Sequence, residues 1–121
     1  PRIVDGDMQT IMAGLACGEP NTISWDILKN HVKMFVAAPD WVAAQGMRML
    51  GAPIKGDPAI TSGESGAAPF GALSVLMTSD DCADVRKELG LDETANVLVF
   101  STEGDTDPQR YKNIVWKGLD K

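Results

Sequence analysis

The segment Asn96-Val-Leu-Val-Phe-Ser-Thr-Glu-Gly-Asp-Thr-Asp-Pro108 constrains the fold more than any other stretch of the chain. An apolar run stops in a cluster of hydroxyls, carboxylates and a glycine. The chain then restarts as a helix, with Asp107 suited to the N-cap and Pro108 to the first helical position. A near-continuous apolar strand from Val97 to Phe100 belongs in a buried parallel sheet. Ligands of open α/β sheets sit at the carboxyl ends of such strands, which makes Ser101, Thr102 and Gly104 candidate ligand contacts. Both hydroxyls donate or accept a hydrogen bond, and the glycine permits close backbone approach or a positive φ. The same residues equally suit a strand-to-helix turn whose hydroxyls satisfy local backbone groups.

The remaining pattern alternates helices with short apolar runs, the signature of an α/β protein. Met8, Ile11, Met12 and Leu15 share one helical face, with Asp7 as cap and Gly14 or Gly18 as stop. Ser24 is placed to cap a helix ending near His31, and Val32 to Ala37 reads as a strand. Asp40 caps a helix whose buried stripe is Ala43, Gly46, Met47 and Leu50, closed by Gly51. Residues 51–60, with Pro53, Gly56 and Pro58, form a surface loop. Residues 65–77 predict a buried helix that tolerates Pro69 only in its first turn. Asp80 or Asp81 caps a helix carrying Cys82, Val85 and Leu89, stopped by Gly90. Tyr111, Ile114 and Val115 make the buried face of the last helix. Trp25, Trp41 and Trp116 fall at helix ends, as core or interface anchors.

Two strands make a poor sheet. Together with a first residue that is Pro1 rather than Met, they lead us to expect a piece of a longer polypeptide whose sheet is incomplete.

A chain of 121 residues suffices for one compact domain. With 11 Lys+Arg against 17 Asp+Glu, its net charge of -6 argues against nucleic acid or anionic membrane as partner. No apolar run nears the roughly 20 residues of a membrane span. No secretory signal opens the chain, so a cytoplasmic setting is expected. Cys17 and Cys82 give neither a disulfide framework nor metal-ligand spacing and read as buried thiols. His31 alone makes no metal site and suits a surface role, so no metal is expected.

Two further constellations precede the strand end. Ile60-Thr-Ser-Gly-Glu-Ser-Gly-Ala-Ala68 sets a carboxylate, serines and glycines before a small-residue helix N-terminus, a place that attracts anions. It lacks the pattern of a nucleophile elbow or a phosphate-binding loop. Ile11-Met-Ala-Gly-Leu-Ala-Cys-Gly-Glu-Pro20 has no basic residue near Cys17 to activate the thiol.

Taken in order, Gly6 to Asn21, Ile60 to Ala67, Phe100 to Asp107 and Tyr111 to Trp116 resemble the C-terminal part of the pyridoxal-phosphate enzymes of the tryptophan synthase β-subunit type (fold type II). Within that family the likeness is to the ammonia-lyases acting on 2,3-diaminopropionate. The resemblance implies a three-layer α/β/α fold with few parallel strands and flanking helices, residues 1–121 forming one C-terminal segment of the catalytic domain. It implies a hydroxyl at a late strand end bonded to the pyridine nitrogen of pyridoxal 5'-phosphate and leaving it unprotonated. Ser101 matches that position best, with Thr102 as the alternative. Glu64 would lie near the cofactor ring, and Ala13, Gly14 and Leu15 would line the substrate side.

The implied reaction is α,β-elimination. 2,3-Diaminopropionate loses its α-proton and its β-amino group, and the resulting enamine hydrolyses to pyruvate and ammonia, with the cofactor stabilising the carbanion. The implied partners are a small amino acid, the remainder of the enzyme chain and a second subunit in a homodimer. The family's Schiff-base lysine sits in a Ser-x-Lys type motif, a setting that none of Lys29, Lys33, Lys55, Lys87, Lys112, Lys117 and Lys121 has. That lysine and the glycine-rich phosphate loop are expected upstream of Pro1, and the chain alone is expected to be inactive. A threonine or serine dehydratase-like lyase is the nearest alternative. A non-enzymatic binding or assembly domain is the alternative of another class.

Overall fold

The computed structural model describes residues 1–120, and Lys121 lies outside them. Two compact units divide the chain, Pro1–Ala38 and Pro39–Lys121.

In the first unit, α1 spans Thr22–His31. Its cap is Asn21, whose side chain accepts from the Ser24 backbone N–H at 2.9 Å. Ser24, the expected cap, thus supplies the donor instead. Lys29 pairs with Asp26 at 2.6 Å on the exposed surface. Beyond the helix, the rings of Trp25 and Phe35 stack at 6.4 Å.

The helix expected over Met8 to Leu15 shrinks to a single 3₁₀ turn, Ala13–Leu15. Asp7 accepts from Gln9 N–H at 3.1 Å, a local turn in place of a cap. Met8 adopts a left-handed φ of 50°, which an α-helix does not accommodate. Cys17 is exposed and Cys82 half-buried, so neither is the buried thiol expected.

The second unit is built on α2 (Asp40–Gly51), α3 (Glu64–Thr78), α4 (Ala83–Leu89) and α5 (Pro108–Val115). Pro39 is the N-cap of α2, which moves Asp40 into the first turn, where a carboxylate favours the helix dipole. Val42, Ala43, Ala44, Gly46 and Met47 are buried along α2, and Ala67 and Gly71 along α3. Leu50, expected on the stripe, is only half-buried.

Small residues allow the backbones of α2 and α3 to touch. A Cβ on Gly46 would stand 2.4 Å from the Ala67 carbonyl oxygen, and one on Gly71 would stand 2.0 Å from that of Val42. Gln45 adds a hydrogen bond to Ser74 Oγ across the same contact at 3.2 Å.

Pro69 lies inside α3, in its second turn rather than its first. Its ring forfeits the N–H that would reach Ser65, yet the helix continues because packing on Gly66, Ala67 and Gly71 outweighs the lost bond.

Arg86 donates to the carbonyls of Leu76 at 2.7 Å and Ser79 at 2.6 Å, satisfying the C-terminal end of α3. A 3₁₀ turn, Asp80–Cys82, precedes α4, which ends at Gly90 in the left-handed region with φ 67°. Asp107 caps α5 by accepting from Arg110 N–H at 3.0 Å, with Pro108 behind it, as the sequence predicts. Ile114 is fully buried, while Tyr111 and Val115 are half-buried beside it. Arg48 of α2 donates through Nε to the Ile114 carbonyl at 3.0 Å, which ties α5 to α2.

The two expected strands are not formed, and no strand is present among the described residues. A strand exists only through its ladder partner, and neither Val32–Ala37 nor Val97–Phe100 has one. Leu98 is 78% and Phe100 69% exposed, where a central strand would be buried. Of the core or interface role expected of the tryptophans, Trp116 does not take the core one, being 81% exposed.

Candidate functional site

The end of the apolar run and the start of α3 meet in the second unit. Gly63 donates its N–H to the Glu103 carbonyl at 2.8 Å. A Cβ on Gly63 would lie 2.3 Å from the Gly104 carbonyl, and one on Gly66 would lie 2.7 Å from that of Glu103. Segment 101–104 therefore rests directly on the helix N-terminus, and glycine is what the sequence offers at both contacts.

The N-terminus of α3 has no capping side chain of its own, since its N-cap is Gly63. Glu103 supplies one from 38 residues away. Its carboxylate accepts from Ser65 N–H at 3.0 Å and from the Ser65 hydroxyl in a shorter contact. The anion that this N-terminus was expected to attract is thus an internal one.

The Ser65 hydroxyl, helped by the N–H groups of Ser65 and Gly66, holds the Glu103 carboxyl below the usual glutamate range. The folded pKa is lowered, so the stabilisation is present above the ordinary glutamate pKa and is lost as pH falls through the folded value. Glu103→Gln is expected to lower the melting temperature at neutral pH, with the gap from wild type closing as pH falls below the ordinary glutamate range. A pH-independent gap in thermal melts would contradict this capping role.

Ser62 is fully buried. Its Oγ lies 2.8 Å from Ser101 Oγ, and 3.5 Å from both the Gly63 and Glu103 carbonyls. Ser101 and Thr102 are exposed. Glu64, only 9% exposed, has Oε1 at 2.9 Å from Arg110 Nε of α5. The Arg110 N–H direction misses the oxygen, so this is a charge contact rather than an aligned hydrogen bond. Gly104 is not in the left-handed region, and a Cβ there would meet no atom within 4 Å. Positive φ is therefore not its reason for being glycine.

Ser101, Glu64 and Gly104 thus belong to one cluster built on the α3 N-terminus. Ala13, Gly14 and Leu15 form the 3₁₀ turn of the first unit, with Leu15 exposed. Sequence reasoning passed over Ser62, Glu103 and Arg110. Ser62 and Ser65 stood inside the Ile60–Ala68 motif, and the glycines between them were the available signal that another backbone packs there.

No family model matches the chain. It is 51% identical to diaminopropionate ammonia-lyase of Escherichia coli (strain K12) over 115 residues, 95% of this chain and 29% of that one. It is 52% identical to the Salmonella typhimurium enzyme of the same name over 119 residues, 98% of this chain and 30% of the relative. The fold superposes on the Escherichia coli enzyme in complex with an aminoacrylate-PLP azomethine reaction intermediate, with a TM-score of 0.87 and 50% identity. That match covers 92% of this chain and 29% of the enzyme. The D-serine complex of the same enzyme gives a TM-score of 0.85 at 49% identity, over 90% of this chain and 28% of the enzyme. In sequence and in fold this chain is similar to diaminopropionate ammonia-lyase over nearly all of its own length, and it spans about 29% of that enzyme's length.

Proposed function

We propose that this chain is a C-terminal segment of a pyridoxal-phosphate-dependent lyase that eliminates ammonia from 2,3-diaminopropionate. The observation that carries the reading is the Ser101 hydroxyl. It is exposed at the end of an apolar segment and braced from behind by buried Ser62 at 2.8 Å. A pyridine nitrogen needs such an outward, pre-positioned hydroxyl, and the residues present fit one.

Ser101 would hold the ring nitrogen by donating a hydrogen bond to it, with Thr102 as the alternative donor. A hydroxyl is a poor base, so it leaves that nitrogen neutral where a carboxylate would keep a proton on it. The open side of Gly104 leaves room for a flat ring. Glu64, held by Arg110, would stand near that ring. The resemblance assigns Ala13, Gly14 and Leu15 to the substrate side. When bound, the cofactor supplies the electron sink that stabilises the carbanion at the substrate α-carbon. The Schiff-base lysine and the phosphate loop belong to the remainder of the enzyme, in keeping with the 29% of the relatives' length that the chain spans.

The exposed run Val97–Phe100 becomes a parallel strand once the rest of the sheet is beside it, restoring the α/β/α layering. Exposed apolar residues in a segment already held at one end by α3 support this. A homodimeric, cytoplasmic enzyme follows from the resemblance.

The test is an assay of the complete enzyme with added pyridoxal phosphate. Pyruvate and ammonia should form from 2,3-diaminopropionate faster than from L-threonine or L-serine. A preference for threonine would move the enzyme to the dehydratases, and absence of any elimination would leave an assembly domain.

A further inference from the structure

We propose that Ser62 is a positioning residue for the cofactor nitrogen, acting through Ser101; this rests on the reading of Ser101 given above. The Ser62 hydroxyl has one proton and three oxygen neighbours, of which Ser101 Oγ at 2.8 Å is close and the two carbonyls at 3.5 Å are at the outer limit of hydrogen bonding. Ser62 is fully buried, so water offers it no substitute.

Two arrangements are possible. If Ser101 donates to Ser62, the buried Ser62 proton is left with only a weak carbonyl contact, which is costly inside the protein. If Ser62 donates to Ser101, the buried proton is satisfied at 2.8 Å and the Ser101 proton turns outward. The second arrangement makes Ser101 a donor to whatever acceptor faces it. An unprotonated pyridine nitrogen is an acceptor, whereas a protonated one is a competing donor. Ser62 therefore favours the neutral ring nitrogen without touching it.

The packing keeps this geometry narrow. A Cβ on Gly66 would stand 2.7 Å from Ser62 Oγ, so the helix has been cleared to admit the hydroxyl. Glu103, whose carboxylate binds Ser65, holds the segment that carries Ser101 in register on α3.

The test is a double-mutant cycle in the complete enzyme, prepared as apoenzyme and titrated with pyridoxal 5'-phosphate. Ser62→Ala is expected to weaken cofactor binding about fivefold and to shift the pH midpoint of the bound cofactor's absorption upward. Ser101→Ala should weaken binding more, and Ser62→Ala should add nothing in the Ser101→Ala background. Ser62→Cys keeps the volume with a weak donor. It should shift affinity and midpoint in the same direction, and it stands in where the alanine variant fails to fold, as judged by the apoenzyme melt. If Ser62→Ala leaves both affinity and midpoint unchanged while Ser101→Ala weakens binding, the relay is wrong and the anchor stands. An equal Ser62→Ala effect in both backgrounds would show a merely structural role and overturn the proposal. If Ser101→Ala changes nothing either, the anchor falls and the relay with it.

Discussion

Gly71→Ala is expected to destabilise the fold by on the order of 3 kcal/mol, the upper part of the range for overpacked cores. The added methyl carbon would stand 2.0 Å from the Val42 carbonyl oxygen and 3.2 Å from Gly46 N. Both are backbone atoms of α2, which no side-chain rotation can withdraw. The helices must then separate, opening space around Ala43, Ala67 and Met47, all at or near zero exposure. Because α3 follows directly on Ser62 and carries Ser65, which binds Glu103, its displacement should disturb the site as well as the core. Urea or thermal unfolding of the complete enzyme reads the effect, and a melting temperature within a degree of wild type would refute the close packing of α2 on α3.

The second large effect is on catalysis. Ser101→Ala is expected to lower kcat/KM for 2,3-diaminopropionate by about ten- to a hundredfold, the cost of leaving a ring nitrogen without its donor. Ser101→Asp should be as damaging for the opposite reason. A carboxylate holds a proton on the nitrogen and changes how strongly the ring withdraws electrons. The two variants should differ in the pH dependence of the bound cofactor's absorption, and wild-type activity in either would refute the assignment.

Legibility from sequence followed the range of the forces involved. The start of α5 was readable because Asp107 and Pro108 act within one helical turn, and the stop of α4 because Gly90 alone supplies its left-handed cap. The first 20 residues were not readable. The Met8, Ile11, Met12 and Leu15 periodicity calls for a helix only if that face is buried, whereas Leu15 is exposed and Met8 turns to positive φ. The apolar runs at 32–37 and 97–100 carried strand character without a partner to pair with, and pairing is what defines a strand.

The site was half legible. Ser101, Gly104 and Glu64 were visible as residue types in a suggestive order. Their brace was not, since the Ser62–Ser101 contact spans 39 residues and the Glu103 cap on Ser65 spans 38. Tertiary packing sets such contacts, and no local pattern encodes them.

On this reading Ser101 faces the cofactor nitrogen as its hydrogen-bond donor. The most direct measurement is a crystal structure of the complete enzyme with pyridoxal 5'-phosphate bound, read at the distance from Ser101 Oγ to that nitrogen. A distance of about 2.7–3.0 Å is expected, with Ser62 still in contact behind Ser101. A nitrogen that meets a carboxylate, or lies more than about 3.5 Å from Ser101 Oγ, would contradict it.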